Sequence, residues 1–227
     1  LQDSEPCPRL SPLSDFFLHR QLLLQALWRV RDGFRGALLD LGCNDKPYEV
    51  YFSDRCSAWV GLDRLFYAGG RTKADVGGDT LHLPFRQGAF DTVLCTQVLS
   101  DVPEPLELFS EAHRVLRPGG YLILSASQYN PPQNEPHDYF RFSRHALRYL
   151  AERVGFEVVA LFPQGGAGAL VGFVLSNHFP FNGRNALSRW LSAFLQLLLL
   201  KLDRWRFRPR NTIGWVIACR KQVEQCL

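Results

Sequence analysis

The run Leu38-Leu39-Asp40-Leu41-Gly42-Cys43-Asn44-Asp45-Lys46-Pro47 places a turn of small and polar residues directly after an apolar stretch. If a buried strand precedes that turn and a helix follows it, the turn occupies the position of a nucleotide-type site in a doubly wound sheet. Gly42 lets the backbone turn tightly, Asn44 is among the few non-glycine types that tolerate a left-handed conformation, and Pro47 suits a first helical turn. Asp63 follows the next apolar run at about the 20-residue offset where a strand-end carboxylate can accept hydrogen bonds from a ribose diol. Each feature alone also reads as a plain turn glycine or a strand-end acid. At matched spacing, with Asp79 beyond them, they read together as a nucleoside site.

Which nucleoside follows from what is missing. Dinucleotides need glycine where this chain has Asn44 and Lys46, because pyrophosphate must approach bare backbone. That departure argues against a nicotinamide cofactor, although Lys46 leaves a phosphate contact open. S-adenosylmethionine carries a nucleoside without phosphate and escapes the demand.

The elements that must position these residues alternate along the chain. Residues 37–41, 58–62 and 90–95 read as strands, 47–52 as the start of a helix, and 104–116 as helical in period. After the Pro118-Gly119-Gly120 turn, 121–125 reads as a strand, followed by a helix over 143–154 and a strand over 156–161. This alternation predicts a mostly parallel sheet flanked by helices, an α/β fold. From Ser14 an amphipathic helix, a lid or flanking helix, runs to about Gly33, so residues 1–36 read as an N-terminal segment and 37–227 as the main domain. The last strand, 214–219, comes after an insertion at about 164–212, too long for a loop, whose leucine-rich centre at 186–205 reads as helix.

Four ordered segments, LDLGCNDKPY, GLDR, GDTLHLPFRQGAFDTVLCTQVL and EAHRVLRPGGYLILS, resemble the successive motifs of class I S-adenosylmethionine-dependent methyltransferases of the type 11 group. The resemblance covers roughly 37–161, with 214–219 similar to the closing strand. It implies a Rossmann-like, doubly wound sheet of seven strands, with one antiparallel strand at its edge. It also implies a site: Gly42, with Asp40, Cys43 and Asn44 around it, passes under the methionine part, and Asp63 with Arg64 holds the ribose. Asp79, Thr80 and Leu81 border the adenine, and the stretch from Cys95 to Gln97 lines the ammonium and sulfonium. The chain departs from the family's usual glycine at Asn44 and its usual histidine at Asp101.

Methyl transfer is a direct displacement on a sulfonium, so such a site must hold the acceptor in line and exclude water. A protonated oxygen or nitrogen acceptor also needs a proton sink. Glu135-Pro136-His137-Asp138-Tyr139-Phe140-Arg141 resembles a segment of a family subset associated with small-molecule and glycan-type substrates. There His137 can act as a base, Asp138 can orient it, and Tyr139 and Arg141 can meet the acceptor, Arg141 binding an acidic group. The same residues can instead lock the loop at 128–142 to the sheet. Asp101 is a second base candidate and, alternatively, a turn acid before Pro103.

Composition bounds the rest. A chain of 227 residues, 46% apolar and 21% charged, buries one substantial core, and a formal charge of +4 gives little support for nucleic-acid binding. After the fourth strand the chain reads Cys95-Thr96-Gln97-Val98, not the Asn/Asp-Pro-Pro-aromatic tetrad of nucleic-acid methylation. Cys7, Cys43, Cys56, Cys95, Cys219 and Cys226 form no CxxC pair, and no Cys/His/Asp cluster has zinc spacing, so we expect no metal and a reduced, cytoplasmic, soluble protein. The leucines at 186–210 run into Lys201, Arg204, Arg206, Arg208 and Arg210, a pattern that suits a peripheral membrane surface, a dimer contact, or a helix packed on the sheet with a solvated basic tail. The expected activity is methyl transfer to an oxygen or nitrogen of a natural product, sugar or lipid-like acceptor. The competing reading is a methyltransferase-like binding protein that has lost catalysis.

Overall fold

The computed structural model describes residues 6–12, 17–64, 72–178, 186–205 and 207–223. The expectations for Ser14, Arg206 and Cys226 fall outside them.

The chain folds into one seven-stranded sheet flanked by helices on both faces. In order it forms α1 (Phe17–Trp28), β1 (Gly36–Leu41), α2 (Glu49–Phe52), β2 (Cys56–Asp63), β3 (Val76–Gly77), β4 (Phe90–Thr96), α3 (Pro105–Val115), β5 (Leu116–Ser127), α4 (Arg144–Arg153), β6 (Phe156–Pro163), α5 (Ala167–His178), α6 (Ala186–Trp205) and β7 (Gly214–Lys221). The strand order is β3-β2-β1-β4-β5-β7-β6, and only β7 runs antiparallel to its neighbours. That strand lies one place inside the sheet, not at its edge as the family resemblance suggested. The connection explains it. Pro163 ending β6 pairs with Trp215, the second residue of β7, so the chain through 164–212 leaves and re-enters at the same end of the sheet. A strand that starts where its neighbour stops can pair with it only in the antiparallel sense.

Consecutive strand residues point to opposite faces, and the chain fills both. On one face Leu39, Leu41, Val93, Cys95, Leu122, Leu124, Ile217 and Cys219 pack under α3 and α4. The amphipathic period of α3 buries Leu108, Phe109, Ala112 and Val115, Pro105 opens its first turn, and Ser143 caps α4 by accepting from the Ala146 N–H. On the other face Leu38, Leu94, Ile123, Val216 and Ala218 meet Leu23, Leu24 and Leu27 of α1, with Phe34 stacked on Phe52.

Of the two roles its sequence allows, lid or flanking helix, α1 takes the position of a helix flanking the sheet, without an amphipathic face. It is buried around most of its circumference, leaving Arg20 and Gln25 exposed, because it packs on the sheet and also sends Leu18 and Leu22 against Ala169, Phe173 and Ile213. It stops at Trp28, and a separate single turn at Arg31–Gly33 precedes β1. The insertion likewise holds two helices, α5 and α6, packed on each other, where the sequence suggested one.

Candidate active site

The turn after β1 is built so that only glycine fits at its start. Gly42 has a φ of +64°, and a Cβ there would lie 2.3 Å from Val98 Cγ2. Its N–H and that of Cys43 both donate to the Leu62 carbonyl, at 2.8 and 3.2 Å, tying the turn to the end of β2. Asn44 and Lys46 then take positive φ values of 45° and 53°. The strain at Asn44 is held from outside, since its N–H donates to Asp63 Oδ2 at 2.8 Å while its carbonyl accepts from Thr72 Oγ1 and the Lys73 N–H. Lys46 forms an ion pair of 2.6 Å with Asp75, whose other partner is the Gly61 N–H. That N–H, with the Lys46 ammonium, holds the Asp75 carboxyl below its ordinary range. Lys46 is therefore engaged with Asp75.

Above this turn lies a cavity of about 520 Å³. It opens past the carboxyl ends of β1, β2 and β4, the edge where open α/β sheets bind ligands. Gly42, Cys43, Asn44, Asp63, Arg64, Thr80 and Gln97 line it, and so does Asp101. Asp63 accepts from the Asn44 N–H on one carboxylate oxygen and from the Arg64 N–H on the other, both at 2.8 Å. Each oxygen keeps a second lone pair for a hydroxyl. Gln97, with a φ of 59°, is fixed by Ser125 and by Ser127, whose Oγ donates to Gln97 Oε1 at 2.6 Å.

Four residues expected in the cofactor site do not line this cavity. Asp40 is buried inside β1, where Trp59 Nε1 donates to it at 3.2 Å, and burial raises its carboxyl to about 7. Cys95 is fully buried in β4, its thiol pushed far up by desolvation, because Thr96 and not Cys95 is the residue that clears the strand end. Asp79 folds back to accept from the Leu81 N–H at 3.0 Å and stands 3.9 Å from Arg64, so it bears on the cavity through that guanidinium. Leu81 packs against the core. Burial also pushes the Cys43 thiol up to about 12, which leaves it no nucleophile.

The loop at 128–142 enters the cavity with a residue the sequence did not single out. Asn134, at a φ of 53°, donates from Nδ2 to Asp101 Oδ2 at 2.6 Å and lines the cavity beside it. Its signal was only an asparagine in a long polar loop. Asp101 also accepts from Ser100, and its burial outweighs these bonds and raises its carboxyl above the ordinary range. The expected His137–Asp138 pair is not assembled. His137 Nδ1 lies 3.0 Å from the Tyr139 hydroxyl, whereas Asp138 is bound by Arg141 and the Gln133 N–H. Arg141 also donates to the Asn130 and Pro131 carbonyls. Tyr139 and Arg141 line a separate depression of about 490 Å³ with Asp138, not the main cavity. The Tyr139 and Phe142 N–H groups donate to the Ser100 and Ser127 carbonyls, which straps the loop to the ends of β4 and β5.

Among the described residues no group of three His, Cys, Asp or Glu side chains converges as a metal site. Asp45 and Pro47 of the turn also line the main cavity, and Tyr48, Thr72, Gly78, Val98 and Val102 complete it, brought there by folding with no pattern of their own in sequence.

Comparison with known proteins agrees with this geometry. Residues 39–124 match the family described as methyltransferase domain. That segment runs from β1 to β5 of the sheet and carries the Gly42 turn and Asp63. An uncharacterized methyltransferase of Mycobacterium avium is 32% identical over 114 residues, a match covering 45% of each chain. A ubiquinone/menaquinone biosynthesis C-methyltransferase of Roseobacter denitrificans is 40% identical over 93 residues, covering 35% of this chain and 37% of that one. The matched stretch thus spans less than half the length of these curated relatives. The crystal structure of a SAM-dependent methyltransferase from Archaeoglobus fulgidus superposes with a TM-score of 0.55 at 18% identity, over 89% of this chain and 94% of that chain, a likeness of fold.

Proposed function

We propose that the chain binds S-adenosylmethionine in the 520 Å³ cavity and transfers its methyl group to an oxygen or nitrogen of a small-molecule acceptor. The observation that carries this reading is the Gly42 turn, closed against Val98 with no room for a Cβ, facing the Asp63 carboxylate across one cavity. Such a cradle suits a nucleoside and an amino-acid backbone better than a pyrophosphate. The residues fit the group. Asp63 would take the ribose hydroxyls, Thr80 and Arg64 would flank the base, and Gly42 with Thr96 and Gln97 would face the methionine part. When bound, S-adenosylmethionine supplies an electrophilic methyl on a sulfonium. The protein's part is to orient the acceptor, exclude water and accept a proton. Asp101 suits that last task, because its raised carboxyl lies in the cavity and Asn134 fixes one of its oxygens.

Calorimetric titration with S-adenosylmethionine and, separately, with NAD tests the cofactor. Micromolar affinity for the first alone, lost in Asp63→Ala, is the expected result; no binding by the wild type would overturn the reading and favour a binding protein without catalysis. With an acceptor in hand, Asp101→Asn should lower kcat by roughly 10²- to 10⁴-fold, the usual worth of a positioned base. An unchanged rate would remove Asp101 from that role.

A further inference from the structure

Helix α6 is apolar on two sides, and only one of them is covered. Ala193 and Asp203 are buried, and Leu200 packs toward the small core formed with α5 and α1. The outward side carries Trp190, Phe194, Leu197, Leu198, Leu202 and Trp205, which at 100° per residue fall within an arc of about 140°. They are open to solvent, with Trp190 at 64%, Phe194 at 65% and Trp205 at 84%. An apolar strip with aromatic residues along a helix of some 30 Å, broken within its arc only by Lys201, is far more than scattered exposed leucines, and marks an interaction surface.

The charges around the strip select its occupant. Between Ala167 and Arg210 the sequence holds one acidic residue, Asp203, against six arginines and Lys201. Asp203 is buried and accepts from the Gly166 and Gly168 N–H groups, so it does not offset the positive side chains outside. Lys201, Arg204, Arg208 and Arg210 are exposed. Two copies meeting through this face would bring these cations together with no carboxylate on the helix to answer them. An anionic bilayer answers them, and takes tryptophan and phenylalanine at its headgroup boundary. Arg204 and Leu197, at the margin of the strip, also line a cavity of about 570 Å³ against α1, with Leu22, Arg29, Gln25 and the Asp203 carboxylate. No helix among the described residues is long and apolar enough to cross a membrane.

We propose that α6 docks flat on an anionic lipid surface through Trp190, Phe194 and Trp205, with Lys201 and Arg204 meeting the headgroups. The insertion leaves β6 and enters β7 beside the carboxyl end of β5, so it springs from the same edge of the sheet as the candidate active site.

Flotation of the full chain tests this, using vesicles of phosphatidylcholine alone and of phosphatidylcholine mixed with phosphatidylglycerol. The chain should float with the mixed vesicles, less so at high salt, and not with the neutral ones. The triple variant Trp190→Ser, Phe194→Ser, Trp205→Ser should partition roughly tenfold more weakly, with an unchanged melting temperature because these side chains are solvent-exposed. Absence from both vesicle fractions overturns the proposal. So does undiminished flotation of the triple variant, or a dimer in solution that this variant converts to monomer without any flotation, which would make a second copy the occupant. Titration of the same samples with S-adenosylmethionine reads the active-site assignment separately.

Discussion

Gly42 carries two constraints that can be separated by experiment. A side chain there meets a left-handed backbone, which costs about 1–2 kcal/mol, and it meets Val98 Cγ2, an overpacking worth a further 1–3 kcal/mol or so. Gly42→Ala should therefore lower stability in urea by about 2–5 kcal/mol and weaken S-adenosylmethionine binding, because the turn and Val98 form adjoining walls of the cavity. Adding Val98→Ala removes the second constraint and leaves the first, so the double variant should recover part of the stability lost. Equal stability in the single and double variants would mean that the turn yields without pressing on Val98. Asn44 illustrates how a residue tolerates the same backbone: its N–H and carbonyl are both engaged, so the strain is held by Asp63, Thr72 and Lys73.

At the scale of the element, the loop at 128–142 is held by an ion pair. Arg141 above all, with help from the Gln133 N–H, holds the Asp138 carboxyl down to about 2 from an ordinary 3.8. A depressed carboxyl stabilises the fold above its unfolded value, and that contribution fades as pH falls from about 4 toward 2. Pepsin cleavage within 130–141 should accelerate over this interval, while Asp138→Asn should already be cleaved readily at pH 4 and respond less to further acid. A wild-type loop equally resistant at both ends of the interval would show that the backbone bonds to Ser100 and Ser127 hold it unaided. Most elements were readable from sequence because strand and helix periods are local. The two-residue β3 and helix α5 were not, and β5 already begins at Leu116, running through Pro118-Gly119-Gly120 where a turn was expected. The loop's internal bonding was not readable either, since Asp138 has partners at Arg141 and Gln133 that no spacing rule ranks above His137.

For the whole molecule, stability depends on covering both faces of the sheet. α1 lies outside the stretch that resembles the family, yet its Leu24 is fully buried against the sheet. Leu24→Ala should cost about 2–5 kcal/mol in chemical unfolding, as core truncations do. A loss near zero would mean that α1 docks without completing the core. The same global arrangement places the 164–212 insertion and the main cavity at one edge of the sheet, which relates the lipid-facing strip to the candidate active site.

By itself the sequence determined the parallel α/β order, the Gly42 turn and the Asp63 carboxylate, because backbone preference and offset along the chain are written locally. It could not fix the place of the antiparallel strand, which depends on where the insertion returns to the sheet. Nor could it tell which loop residue reaches the cavity: His137 carries the more reactive side chain, but Asn134 lies beside Asp101. The apolar faces of α1 and α6 look alike in composition. Only the tertiary structure decided that α1 is enclosed on nearly all sides while α6 keeps one apolar face open, because burial depends on what the rest of the chain brings alongside.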